Sequence, residues 1–141
     1  MTTTQDGALS TIRALSHDGN TRHFNDGDVV FRSGESGDCL YGIVSGSVKV
    51  DWDEGRMQET LGPGHCVGVG ALVEPEHLRY GNAIALGDAE LLVMNREQFL
   101  FAVQELPVFG LEMLQKLDNR LRNLKARTHA PAVEQVSDPE F

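Results

Sequence analysis

The stretch Leu61–Ala85, LGPGHCVGVGALVEPEHLRYGNAIA, decides how this chain is read. It opens with a tight turn, Gly62-Pro63-Gly64, and continues through a glycine-interrupted run, Gly68-Val69-Gly70-Ala71-Leu72. A polar loop then leads to one arginine, Arg79, and into a small-residue strand, Ala83-Ile84-Ala85. Glycines at 68 and 70 let backbone N–H groups approach an anion, and a guanidinium fork suits phosphate or carboxylate because it meets two oxygens at once. A plainer reading stands beside this one: a glycine bulge, with a surface arginine paired to Glu74 or Glu76. Spacing alone favours the plainer reading.

Working outward, the segments before this stretch alternate short apolar runs with turn chemistry. Asn25-Asp26-Gly27-Asp28 is a turn, Val29-Val30-Phe31 a strand, and Ser33–Asp38 a second turn cluster. Cys39–Val44 reads as the next strand, turned by Ser45-Gly46. Val48, Val50 and Trp52 alternate with Ser47, Lys49 and Asp51, which gives that strand one wet face. Asp53-Glu54-Gly55 is a hairpin turn and Met57–Leu61 returns from it. Strands recurring every eight to twelve residues suggest an antiparallel sandwich or barrel, with a jelly roll among the options.

Helices flank this β region. Ala8, Leu9, Ile12 and Leu15 share one helical face before His17-Asp18-Gly19-Asn20 ends it, while residues 1–6 read as loose. Ala89–Met94 is the last strand. Asn95 caps a following helix, with Gln98 as capping-box partner, and Phe99, Leu100 and Val103 form its apolar side. Leu106-Pro107 breaks it and Pro107 begins another. There Leu114, Leu117, Leu121 and Leu124 form a stripe that either docks on the barrel or pairs with a second copy. The tail from Thr128 has no periodicity.

Composition removes several function classes. A net charge of −9 argues against a nucleic-acid surface. The basic cluster from Arg120 to Arg127 could equally be a solvated helix face. No run approaches membrane-spanning length, and MTTTQDGALS lacks the features of a signal peptide, so a soluble cytoplasmic protein is expected. The two cysteines, Cys39 and Cys66, lack zinc spacing and read as buried thiols. No GxSxG, HExxH, Walker or dinucleotide fingerprint occurs, and His65 has no HxH partner for a cupin-type metal. The chain is read as no enzyme, with no cofactor and no metal.

The residues also match a known family. The chain resembles, over about residues 23–125, the cyclic-nucleotide-binding domain of the catabolite-activator superfamily. FNDGDVVFRSGESGDCLYGIVSGSVKV is similar to that family's opening strands, with Gly27, Gly34, Gly37, Tyr41 and Gly46 at the expected turns. LGPGHCVG resembles its step into the phosphate-binding cassette, Arg79 falls where the family places its phosphate-binding arginine, and MNREQFLFAVQELPVFGLEMLQKLDNRLR resembles its closing helix pair. The resemblance implies a mainly β fold with flanking helices, a double-stranded β-helix or jelly-roll barrel. Its expected parts are an N-terminal helix and lead-in (1–22), a β-roll (23–94) holding a cassette-like segment (61–85), C-terminal helices (95–127) and a flexible tail (128–141).

What the resemblance implies for function follows the same residues. A small anion would meet Gly68, Val69, Gly70 and Ala71 of the cassette, with Arg79 supplying charge and Tyr80 beside it. The family's glutamate, which accepts a hydrogen bond from a ribose hydroxyl, is replaced by Val69. Losing such a bond costs about 1–3 kcal/mol, roughly tenfold to a hundredfold in affinity. Tyr80 and Gly81 replace the usual small residues after the arginine, and the tyrosine could fill part of the nucleotide's space. Arg79-Tyr80-Gly81-Asn82-Ala83-Ile84-Ala85 is also similar to a run in the family's nitrogen-control regulators, which sense 2-oxoglutarate. The ligand therefore stays open between a cyclic nucleotide such as cAMP, a dicarboxylate such as 2-oxoglutarate, and nothing. No helix-turn-helix follows the dimer helix, so the expected role is a sensor module that signals through its C-terminal helix to another protein, with a homodimer through that helix. The alternative is an interaction module with a vestigial, ligand-free pocket.

Overall fold

The computed structural model describes residues 4–16 and 21–129. In chain order these form α1 (Thr4–Ser16), β1 (Thr21–Phe24), β2 (Val29–Phe31), β3 (Cys39–Trp52), β4 (Met57–Leu61), β5 (Cys66–Val67), α2 (Gly70–Val73), β6 (Asn82–Asn95), α3 (Arg96–Glu105) and α4 (Pro107–His129). The proposed helix end at His17–Asn20 lies outside the described residues, as does the tail from residue 130. Helix α1 begins within the stretch read as loose, and α4 runs two residues past the expected boundary at 127.

All strand pairing is antiparallel, in the order β1-β6-β3-β4, with β2 also on β6 and β5 also on β3. Two long strands carry the roll. β3 pairs with β6 from Cys39↔Asn95 to Asp51↔Asn82. Two breaks expected from the sequence are therefore absent. Ser45-Gly46 does not turn the chain; the register shifts there, on either side of Ser45, and β3 continues. Gly46 takes φ +83°, with its Cα side pressed on the Asp88 carbonyl and Ala89. Such a bulge bends a strand without ending it. Likewise Leu86-Gly87-Asp88 lies inside β6 rather than between two strands.

The two faces of β3 and β6 bury different partners. Tyr41, Ile43, Val48, Leu91 and Val93 point into the roll, where they pack with Phe31, Leu61 and Val67. Leu40, Leu92 and Met94 point the other way, onto Ala8 and Ile12 of α1 and onto Ala102, Phe109 and Met113 of α3 and α4. This is why Cys39–Ile43 is buried at every position and shows no alternation. Asn95 does cap α3: its side chain accepts from Gln98 N at 2.8 Å, and Gln98 Oε1 accepts from Asn95 N at 2.9 Å.

The helical faces differ from their expected assignment. In α3, Ala102 is buried and Phe99 half-buried, whereas Leu100 and Val103 are exposed. In α4 the inward row is Phe109, Met113, Lys116, Arg120 and Leu124, at spacings of 4, 3, 4 and 4. Leu114, Leu117 and Leu121 point outward together with Leu111. The leucine stripe thus does not dock on the barrel, and Leu124 leaves it to face the roll. No helix among the described residues is long and apolar enough to cross a membrane.

Candidate functional site

A cavity of about 290 Å³ opens between the roll and α4. Four parts of the fold build its walls. The cassette contributes Gly68, Gly70 and Ala71, and the segment after it Arg79, Tyr80 and Gly81. The strands add Phe31, Val50, Trp52 and Glu59, and α4 adds Arg120 and Leu124.

Arg79 is fixed before any ligand arrives. The loop between β2 and β3 clamps its backbone: Gly34 N donates to Arg79 O at 2.8 Å, Arg79 N to Glu35 O at 2.7 Å, and Gly37 N to His77 O at 2.8 Å. Its side chain then turns inward and is only 5% exposed. Nη1 donates to Gly68 O at 2.9 Å, Nη2 donates to the Cys39 sulfur at 3.6 Å, and the guanidinium lies over the Phe31 ring at 4.3 Å. Glycine leaves room for the guanidinium at two points of this sleeve. A Cβ on Gly37 would overlap Arg79 Nε and Cζ, and one on Gly68 would lie 2.6 Å from Nη1. The surface pairing with Glu74 or Glu76 is thus excluded. Glu74 instead accepts from Leu78 N at 3.0 Å, a bond that holds its carboxyl below the usual range. Among the described residues no carboxylate pairs with Arg79, so a buried cation lacks a counter-anion.

The cassette is braced from behind. Short helix α2 buries Ala71 and Leu72. Its terminal carbonyls are taken by two side chains: His77 Nδ1 donates to Ala71 O at 2.9 Å, and Arg96 Nη1 donates to Leu72 O at 2.7 Å. Val69, named with the site from the sequence, faces away. It packs against the helix-side core and is absent from the cavity walls. Tyr80 is at the cavity but 79% exposed, so it forms a rim and does not plug the space.

The opposite polar feature was not singled out from the sequence. Glu59 of β4 and Arg120 of α4 form a two-pronged ion pair: Nε donates to Oε2 at 3.1 Å and Nη2 to Oε1 at 3.0 Å. Arg120 Nη1 also donates to Cys66 O at 3.3 Å, at the strand leading into the cassette. Glu59 is 9% exposed. One signal could have found it. In Met57-Gln58-Glu59-Thr60-Leu61, period two puts Glu59 on the face of Leu61, so an acid sits in the inward phase. Arg120 likewise is no solvated surface residue.

Burial tunes the groups around this pair. His65 is pulled below its ordinary value of 6.5, first by burial and then by the charges of Lys116 and Arg120. Its Nδ1 is buried and has no hydrogen-bond partner among the described residues. Burial pushes the Cys66 thiol up to about 11, and burial followed by the Cys39 hydrogen bond pushes Tyr41 up to about 12. Both cysteines are buried and free. Among the described residues no cluster of three or more His, Cys, Asp or Glu could hold a metal ion.

The family model for the cyclic nucleotide-binding domain matches residues 21–105. The cyclic AMP receptor protein of Thermus thermophilus is 32% identical over 105 residues, covering 72% of this chain and 48% of that protein. The CRP-like cAMP-activated global transcriptional regulator of Mycobacterium tuberculosis is 30% identical over 117 residues, covering 80% of this chain and 52% of that protein. The chain therefore spans about half the length of these curated relatives. Among solved structures, one from "a cyclic-GMP-dependent signalling pathway" that "regulates bacterial phytopathogenesis" superposes with a TM-score of 0.70 at 25% identity, covering 87% of this chain and 96% of that one. The catabolite activator protein of Thermus thermophilus superposes with a TM-score of 0.65 at 29% identity, covering 92% of this chain and 59% of that one. A jelly-roll sheet with flanking helices, a braced glycine cassette, a buried arginine and the match over residues 21–105 agree: the chain belongs to the cyclic nucleotide-binding domain family.

Proposed function

We propose that this chain is a non-catalytic sensor whose ligand is a cyclic nucleotide, bound with its phosphate on Arg79 and the cassette backbone at Gly68, Gly70 and Ala71. The observation that carries this reading is Arg79 itself, buried at the cavity wall and held by a carbonyl, a thiol and an aromatic face, none of them an anion. A phosphate monoanion supplies the missing charge in a water-poor site, where a charge-assisted bond is strongest. A dicarboxylate fits less well. Of the two arginines that line the cavity, Arg120 already has its charge balanced by Glu59, so a second carboxylate would find no unbalanced cation among the described residues there. The similarity to a cyclic AMP receptor protein and to a structure from a cyclic-GMP-dependent signalling pathway points the same way.

The signal leaves through α4. Arg120 and Leu124 wall the cavity from that helix, so filling the cavity changes what α4 rests on. A ligand shifts such an equilibrium by the difference in its affinity for the two arrangements. The outward row of Leu111, Leu114, Leu117 and Leu121 supports a second reading, in which α4 is an association surface for another copy of this chain and the pocket is vestigial.

One experiment separates the two. Titration calorimetry with cAMP, cGMP and 2-oxoglutarate on the wild type and Arg79→Ala is run beside light scattering of both proteins. The sensor reading expects a cyclic nucleotide to bind the wild type and to lose at least about a hundredfold in affinity on Arg79→Ala. No heat from any ligand on a folded wild type, with a dimer mass in both proteins, replaces the sensor with the association module. A monomer mass removes the second copy.

A further inference from the structure

The Glu59–Arg120 pair lines the same cavity as Arg79 but is not needed to hold a phosphate. Its unspent hydrogen-bonding capacity can be counted. An ionised carboxylate has about four acceptor sites and a guanidinium has five N–H donors. Arg120 uses Nε and Nη2 on the two Glu59 oxygens and Nη1 on Cys66 O. Beyond these bonds among the described residues, the same inventory leaves roughly two acceptor sites on Glu59 and two donors on Arg120. They lie next to one another, because each Glu59 oxygen is shared with an Arg120 nitrogen at 3.0–3.1 Å. The apolar and aromatic lining beside them comes from Val50, Trp52 and Leu124. A flat ring bearing adjacent donors and an acceptor on one edge matches this combination.

We propose that the Glu59–Arg120 pair reads the edge of the nucleotide's base and makes the site prefer guanine over adenine. This rests on the cyclic-nucleotide reading given above. Guanine presents, side by side, a carbonyl oxygen that accepts and two N–H groups, N1 and the 2-amino, that donate. The two N–H groups meet the free acceptor sites of Glu59, and the carbonyl oxygen meets the free donors of Arg120. Adenine offers a lone pair at N1, where Glu59 requires a donor, and its 2-position carries only C–H. A buried site built to receive N–H donors rejects an analogue that lacks them, because its own polar groups are left unpaired. The acceptor that the sequence comparison finds missing at Val69 is thus present in the cavity on another strand, and it serves the base end of the ligand.

The test uses the whole chain and commercially made nucleotides. Calorimetry is run with cGMP, cAMP and cyclic IMP, which keeps the guanine carbonyl and N1–H but lacks the 2-amino group. The expected result is cGMP at least about tenfold tighter than cAMP, with cyclic IMP weaker than cGMP by about tenfold. Glu59→Gln, which keeps shape but replaces one acceptor by a donor, collapses the preference by weakening cGMP more than cAMP. If that variant does not fold, the wild-type series with cyclic IMP decides alone. Equal or tighter binding of cAMP, or cyclic IMP equal to cGMP, overturns the proposal while leaving the phosphate site on Arg79 intact. Failure of every cyclic nucleotide to bind overturns this proposal and the sensor reading together.

Discussion

The cavity has two polar walls, and they are held in opposite ways. On one, Arg79 is secured by Gly68 O at 2.9 Å in its own stretch of chain, by Phe31, Gly34, Glu35 and Cys39 from an earlier one, and by the glycines that leave room for it. It carries a charge with no protein counter-charge among the described residues. On the other, Arg120 and Glu59 come from elements 61 residues apart and neutralise each other before any ligand enters. The first wall is an anchor with its charge unspent. The second is a balanced pair with only hydrogen-bonding capacity left over. Charge draws an anion in with little regard for its remaining chemistry, whereas paired donors and acceptors discriminate. Under the proposed reading, affinity resides on Arg79 and selectivity on Glu59.

The largest expected effect on stability falls on the balanced wall. Glu59→Ala leaves the Arg120 guanidinium partly buried without its partner. Breaking such a pair costs about 3 kcal/mol, taken at the low end because the Arg120 side chain is 21% exposed. Replacing both members with apolar residues, Glu59→Met with Arg120→Leu, is expected to recover most of that loss. Urea titrations of the single and double variants measure both. A double variant as unstable as the sum of its parts would show that the pair is not self-contained, and the contrast between the walls would fail.

On the anchoring wall a smaller loss of stability accompanies a larger loss of binding. Gly37→Ala places a methyl group against the Arg79 side chain, so the guanidinium must move. Overpacking of this kind costs about 2 kcal/mol. Displacing the charge is expected to weaken any cyclic nucleotide by at least about tenfold, without changing the ratio between cGMP and cAMP. A changed ratio with an unchanged affinity would reverse the roles assigned to the two walls.

The same contrast explains how much of the site was legible in the sequence. Arg79 and Gly68 lie 11 residues apart within one glycine-rich run, and both were readable there. Val69 was named for its backbone beside the anion, and its side chain turns away from the cavity. A valine gains by joining Leu72, Leu92 and Phe109 in the helix-side core instead. Glu59 and Arg120 carried no local signal as a pair, since opposite charges this far apart in sequence are juxtaposed only by the fold. The α4 stripe stayed open between docking and self-pairing for a related reason. Helical period identifies two faces but not which one docks, and the basic cluster from Arg120 to Arg127 could equally be read as a solvated face. Val29–Phe31 and Met57–Leu61 were read in their places, whereas the short strands Thr21–Phe24 and Cys66–Val67 were not read as strands. Two others were cut in half because Ser45-Gly46 and Leu86-Gly87-Asp88 carry turn chemistry that long antiparallel pairing overrides.

The smallest expected effect tests whether the balanced wall remains balanced as pH changes. His65 sits beside Lys116, Arg120 and Glu59, and its folded-state pKa is lowered, first by burial and then by the two cations. The folded state therefore binds this proton less well than the unfolded chain does. Above pH 6.5 both states hold a neutral imidazole and the residue contributes nothing to the pH dependence. As pH falls below that value the unfolded chain takes up the proton first, and stability is lost until the folded pKa is reached. His65→Gln removes this term while keeping a polar side chain of similar reach. Melting temperatures at pH 7.5 and 5.5 should therefore fall farther for the wild type than for the variant. An identical fall in both would mean that His65 titrates as freely in the folded protein as in the unfolded chain, and that solvent reaches the pair more readily than its burial implies.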